Sequence, residues 1–189
     1  VIVITDHVGY GNLEYVVKTL VKDTKRASSR WDILAIPGVE ITHVPKDDID
    51  LVAKEAKGLG ARLVNVHGET IVEPVEPGTN LAALRSGSVD LLAHPGLLTQ
   101  EEATLAQKQH IFIELTARQG HSLSNGHVAR TALSQEAQLL LDSDAHGPED
   151  LLRPDLSLKI AKGAGLDDNQ THTLLVLNPK KLLTKLGYD

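Results

Sequence analysis

The residues that could do chemistry in this chain are histidines, aspartates and glutamates placed directly after apolar runs. Asp142-Ser143-Asp144-Ala145-His146 follows Leu139-Leu140-Leu141. Residues two apart on a strand face the same way, so Asp144 and His146 stand side by side where such a strand ends. A carboxylate oxygen next to an imidazole nitrogen is half of a divalent-metal site, and a polar turn after a buried strand is the plainer alternative. The pattern recurs: His7 follows Val1–Ile4, Glu40 follows the run ending at Ile36, and His67 follows Arg62–Val66. His94 follows Val89–Ala93, and Glu114 follows Ile111–Ile113.

The chain has nine His and no Cys, so any metal site must be built from imidazole and carboxylate. A single catalytic zinc takes about three protein ligands and keeps one position open. His7, Glu40, His67, His94, Asp144 and His146 exceed that, which predicts two or three ions (Zn, Mn or Fe) sharing a bridging carboxylate. Glu40 and Asp144 are the candidate bridges, and the chemistry supported is hydrolysis by a metal-activated water.

The elements that must position these residues alternate between strand and helix. Strands are predicted at Val1–Ile4, Trp31–Ile36, Arg62–Val66, Val89–Ala93, Ile111–Ile113 and Gln138–Leu141. Continuous apolar runs of this kind fit strands covered on both faces. Between them, Leu13, Val16, Val17, Leu20 and Val21 recur at helical spacing behind Asn12 as N-cap. A second helix carries Ile49, Val52, Ala53 and Ala56 and stops at Gly58 and Gly60. Short helices follow at Leu81–Arg85, from Thr99 to Lys108 behind a capping box with Glu102, and at Val128–Ala137. Three helices close the chain: Leu156–Lys162, one capped by Asp167 or Asp168 and running to Leu177, and one opened by Asn178-Pro179. Such alternation predicts an α/β fold with a parallel sheet whose C-terminal strand ends share one rim. Ligand-type residues on nearly every rim position favour a closed or distorted β/α barrel over a flat doubly wound sheet.

The 189 residues fit one domain, 1–189, with the motifs in about 1–150 and C-terminal helices in 151–189. A net charge of −6 disfavours non-specific attraction to nucleic acid or anionic membranes. No apolar run approaches the ~20 residues of a membrane span, no secretory leader opens the chain, and a cytoplasmic location is expected. The chain holds no Met and starts inside a strand, which predicts further residues upstream of Val1.

Taken together, Ile4-Thr5-Asp6-His7, Gly38-Val39-Glu40, Val66-His67-Gly68-Glu69, Ala93-His94-Pro95-Gly96, Glu114-Leu115-Thr116 and Asp142–His146 resemble the PHP (polymerase and histidinol phosphatase) family, closest to its stand-alone histidinol-phosphatase-like members. The resemblance implies a distorted (β/α)7 TIM-like barrel, with its first strand, a His-x-His motif, missing ahead of Val1. It implies that His7, Glu40, His67, His94, Asp144 and His146 are the metal ligands, with Glu40 the bridge. It also implies a phosphoesterase or phosphatase acting on a small phosphorylated molecule. Alternatives are a nuclease or polymerase-associated module, a carbon–nitrogen hydrolase, and a non-catalytic metal-binding scaffold.

Arg118 is either a phosphate clamp or an exposed loop residue, and Asn125 and His121 either contact substrate or water or serve the loop. His43 is a rim candidate or a solvent-facing residue. Asp6 is read as orienting an imidazole, with Glu69 similar and Asp142 supporting; His110, His127 and His172 are given no role. The segment Thr70–Asn80 is a lid or a solvated connector. The partner expected is a small phosphoester ahead of nucleic acid, which stays open as the alternative, and not a membrane. The oligomeric state is left open.

Overall fold

The computed structural model describes residues 1–188. Its strands are β1 (Ile2–Ile4), β2 (His7–Val8), β3 (Ala35–Ile41), β4 (Leu63–His67), β5 (Leu91–Ala93), β6 (Phe112–Thr116) and β7 (Leu139–Asp142). All pair in parallel in the order β1-β3-β4-β5-β6-β7. β2 continues the edge begun by β1: Ile4 pairs with Pro37, and after a break at Thr5-Asp6, His7 pairs with Glu40. The crossovers are α1 (Leu13–Arg30), α2 (Ile49–Leu59), α3 (Thr79–Arg85), α4 (Gln100–Gln109) and α5 (Asn125–Ser134). They cover the convex face, where Val39, Val64, Leu92, Ile113 and Leu139 bury against residues such as Val17, Val52 and Ala103.

The parallel α/β order agrees with the sequence, but the closed TIM-like barrel does not. The sheet is an open, curled half-barrel, and among the described residues no strand pairing joins β7 to β1. A cleft of about 1020 Å³ separates the two edges, lined by Ile2, Ile4, Leu140, Leu141, Leu182 and Leu183 among others. The low end of the concave side is filled by a helix instead of a strand. Leu63, Leu91, Phe112 and Leu140 pack there on Leu182 and Leu186, the first of these in α8 (Asn178–Lys185) and the second just beyond it. α8 is reached through α6 (Pro154–Gly163), α7 (Asp168–His172) and a π-helical stretch at Thr173–Leu177.

Strand periodicity then sets the character of the concave face. Two residues above the apolar layer stand Asn65, Glu114 and Asp142, with Glu40 level with Asn65 in the register. Another two residues up, β4 ends in His67 and the chain beyond β7 reaches Asp144. The sequence therefore builds an apolar floor, a carboxylate tier and a ligand rim in that order.

Several boundaries move. The second strand begins at Ala35 and includes Pro37 to Ile41, because α1 runs on to Arg30 and leaves Trp31 exposed as its C-cap. Pro37 is tolerated because its nitrogen faces β4 at a level where β4 has not begun. Its carbonyl accepts the Arg62 N–H (2.8 Å), and pairing with β4 starts at Gly38–Leu63. Gly58 lies inside α2, and Gly60, at φ 116°, is its left-handed cap. α3 and α5 each start earlier than their apolar stripes, at Thr79 and Asn125. The capping box at Thr99 and Glu102 forms as expected, and Asp167 is the cap of α7. Asn12 makes no cap bond; its side chain instead accepts from Gly9 N–H (2.8 Å) and donates to the His7 carbonyl (2.9 Å). Among the described residues no helix is long and apolar enough to cross a membrane.

Candidate metal centre

Two glycines explain how neighbouring loops bring two imidazoles together. A Cβ on Gly68 would overlap the Ala93 carbonyl, and one on Gly96 would overlap the Glu69 carbonyl. The His67-Gly68-Glu69 and His94-Pro95-Gly96 turns thus lie backbone against backbone, with Asn80 Nδ2 donating to the Pro95 carbonyl (2.9 Å). The His67 and His94 rings meet edge to face at 4.4 Å between centroids. His94 and Asp144 hold φ of 25° and 46°, a left-handed backbone that costs side-chain-bearing residues roughly 1–3 kcal/mol each. Strain of this kind, on two ligand-type residues facing each other, marks a site held in place by its surroundings.

The ligand atoms fall into two groups, His7–Glu40–His67 and His94–His121–Asp144, each with its atoms within 4.8 Å of one another. Glu40 joins them. Its Oε1 lies 3.0 Å from His67 Nδ1, 3.5 Å from His94 Nε2 and 4.0 Å from His7 Nδ1. His94 Nε2 is also 3.8 Å from Asp144 Oδ2, and the His94 and His121 rings are 4.3 Å apart. Burial pushes the Glu40 carboxyl up, but His67, His94 and His7 outweigh it and hold the group far below the usual carboxylate range.

The donor set fits divalent cations. Buried His67 Nε2, His94 Nδ1 and His121 Nδ1 have no hydrogen-bond partner. Orphaned buried polar atoms are costly, and several in one place call for a group that satisfies them. Imidazole and carboxylate donors suit Zn, Mn or Fe.

Beneath the centre, buried Glu114 and partly buried Asp142 form a carboxyl pair. Glu114 Oε2 accepts the His94 N–H (2.7 Å), while its Oε1 lacks a donor. Burial raises both groups, Asp142 to about 6, and the neighbouring carboxylates Glu40 and Asp144 add to it. A proton kept on the pair would supply the donor that Glu114 Oε1 lacks.

The other sequence candidates occupy varied places. His146 stands at the rim, half-exposed, with its ring 5.9 Å from that of His7 and its Nδ1 3.5 Å from Asp144 Oδ1. Arg118 faces the centre, its Nε 3.9 Å from Asp144 Oδ2 and its Nη1 3.8 Å from Asp150 Oδ2. Both ends of the Asn125 amide are committed to the Thr116 backbone, at 3.1 and 2.8 Å. Asp6 orients no imidazole: its Oδ1 accepts the His7 backbone N–H (2.8 Å), while His7 Nδ1 meets Thr42 Oγ1 (2.7 Å). Glu69 pins the 70–80 loop, and exposed His43, at φ 54°, approaches the His67 ring to 6.1 Å.

The sequence offers His121 as a substrate or water contact or as a residue serving its loop, yet it is a buried member of the second group. Glu73 carries no strand-end signal in the sequence. Neither closes a strand-like apolar run, so strand-end reasoning has no means of finding them; their shared signal is a place in the rim loops that follow β4 and β6.

No protein-family model matches the chain. It aligns over 98% of its length with a chain in the cryo-EM structure of archaeal ribonuclease P with mature tRNA, covering 91% of that chain, at TM-score 0.72 and 15% identity. A crystal structure of an uncharacterized protein aligns over 90% of this chain and 47% of its own, at TM-score 0.56 and 12% identity. At these identities the likeness is one of fold. These findings overturn the assignment to the PHP family, and with it the histidinol-phosphatase-like activity and the small phosphoester partner, which rested on that assignment. Scattered strand-end motifs are reproduced wherever a parallel sheet carries ligands on its rim, so they point to a metal site more strongly than to one lineage. A relative from Methanocaldococcus jannaschii is 41% identical over 186 residues, which span 98% of this chain and 85% of that protein. This chain belongs to the family of that relative, the uncharacterized protein MJ1295.

Proposed function

We propose that this protein is a metal-dependent hydrolase that acts in RNA processing. The observation that carries the reading is the pair of ligand groups, His7–Glu40–His67 and His94–His121–Asp144, joined through Glu40 on the rim of one sheet. Two ions, of Zn, Mn or Fe, would be held by these residues, with His146 within reach as a further donor. Bound there, they would supply Lewis-acid activation of water and neutralise charge on a phosphoryl oxygen. The chain's own contribution is to fix the donors on strand ends, to hold Glu40 ionised, and to place Arg118 beside Asp144, where its guanidinium can meet an anionic substrate.

RNA is supported as the substrate class by the fold shared with a chain of archaeal ribonuclease P bound to tRNA. The surface adds to this. Lys18, Lys22, Lys25, Arg26 and Arg30 lie exposed on α1 at spacings that keep most of them on one face. Exposed Tyr15 and Trp31 flank them. A net charge of −6 averages over that basic helix and over the carboxylates of the rim, and metal ions at the rim would offset part of it.

Elemental analysis of the purified protein should find about two ions per chain. Incubation of Mn-loaded protein with a tRNA and with an unstructured RNA should give cleavage that chelator abolishes and Glu40→Gln removes. A protein that binds no metal and neither binds nor cleaves either RNA would refute the proposal.

A further inference from the structure

The 70–80 segment is tied at both ends and free between them. Glu69 Oε1 accepts the N–H groups of Gly78 (2.9 Å) and Asn80 (3.0 Å), and Asn80 Oδ1 accepts the Glu69 N–H in return (2.9 Å). Glu76 accepts the Lys46 N–H (3.0 Å) and pairs with its Nζ (3.1 Å). The stretch in between is unanchored enough to leave Ile71 and Val72 50% and 45% exposed. From it Glu73 turns inward. Its Oε2 lies 3.5 Å from His67 Nε2 and its Oε1 lies 3.3 Å from His121 Nε2.

Those two imidazoles belong to different ligand groups and are each 3% exposed, whereas the Glu73 side chain is 54% exposed. A carboxylate therefore enters from the solvent side and sets one oxygen toward a buried nitrogen of each group. The loop holding it is pinned to the scaffold by Glu69, Asn80 and Glu76, which leaves the tip between them as the part with fewest ties. His67 Nε2 has no hydrogen-bond partner even with Glu73 at this distance, so the contact is not satisfied by the protein alone.

We propose that Glu73 is a loop-borne ligand of the metal centre, a carboxylate that spans the two groups and couples closure of the 70–80 loop to metal occupancy. This rests on the metal-centre reading above. In the closed state Glu73 shields the rim from bulk water; in the open state it withdraws and leaves the solvent-side position to substrate.

Full-length, chelator-stripped wild-type protein, Glu73→Gln and Glu40→Gln are titrated with Mn²⁺ by calorimetry, and amide hydrogen exchange over residues 71–75 is followed with and without Mn²⁺. Wild-type protein is expected to bind Mn²⁺ and to slow exchange in that stretch. Glu73→Gln should bind about tenfold more weakly, in line with losses seen when groups supporting a metal site are removed, and show no slowing, while melting like wild type in chelator. Equal affinity and equal loop protection in Glu73→Gln would overturn the inference and leave the metal centre standing. Failure of wild-type protein to bind Mn²⁺ would overturn both, and Glu40→Gln binding like wild type would remove the basis on which Glu73 is placed.

Discussion

Replacing Asp142 by Asn tests the carboxylate tier under the rim. In the fold, burial and the neighbouring carboxylates raise Asp142 from 3.8 to about 6, and Glu114 is raised beside it. A folded pKa above the unfolded one means that the native state holds a proton the unfolded chain has released. The stabilisation is complete below about pH 4 and is lost as the pH rises through 6, so metal-free protein should grow less stable between pH 4.5 and 7.5. A shift of that size corresponds to on the order of 2–3 kcal/mol. Glu40 works in the opposite sense: its depressed carboxyl contributes above its unfolded value of 4.5 and loses that contribution only as the pH falls below it. The two windows barely overlap, but buried His121, held below its ordinary value, opposes the neutral decline and raised Asp144 adds to it, so the pair is read from the difference between wild type and variant. In Asp142→Asn the amide supplies Glu114 with a permanent donor, and the charge that helps raise Glu114 is gone. Urea unfolding of chelator-treated protein at half-unit steps from pH 4.5 to 7.5 should show the wild-type decline shrink by about 2 kcal/mol in the variant. Parallel profiles in wild type and variant would refute the argument that the pair keeps a proton.

Phe112→Ala should cost about 3–5 kcal/mol by denaturant unfolding, because the ring is 2% exposed in the small concave core under α8 and its loss leaves a cavity. Gly96→Ala should cost at least about 2 kcal/mol and lower metal affinity together with stability, since φ is 66° and a Cβ would meet the Glu69 carbonyl. Wild-type metal binding in soluble Gly96→Ala would show that the close approach of the two turns does not set the ring positions of His67 and His94.

Much of the scaffold was legible because parallel strands declare themselves. The runs at 63–66 and 91–93 are buried on both faces and that at 139–141 nearly so; His67 and Asp144 leave their strands as the period of two requires, whereas His94, out of that period behind Ala93, reaches the rim through its left-handed backbone. Boundaries slipped where a local signal pointed the wrong way: Trp31 reads as a strand residue yet caps a helix, and Pro37 reads as a breaker yet sits within β3. The family assignment failed for a related reason. It took motifs that any metal-bearing strand end can produce as evidence of one lineage, and no family model matches the chain.

The sequence by itself determined an α/β order with parallel strands, the capping box at Thr99, and a run of imidazoles and carboxylates on one rim, because each of these is written in periodicities of two or about 3.6 residues. Only the tertiary structure decided that the sheet stays open, since closure depends on how far its strands curl and on which element fills the concave side, here α8. Only the tertiary structure divided the ligands into two groups and added His121 and Glu73 to the rim. These last two come from loops, whose residues carry no period and are placed by contacts with segments distant in the chain.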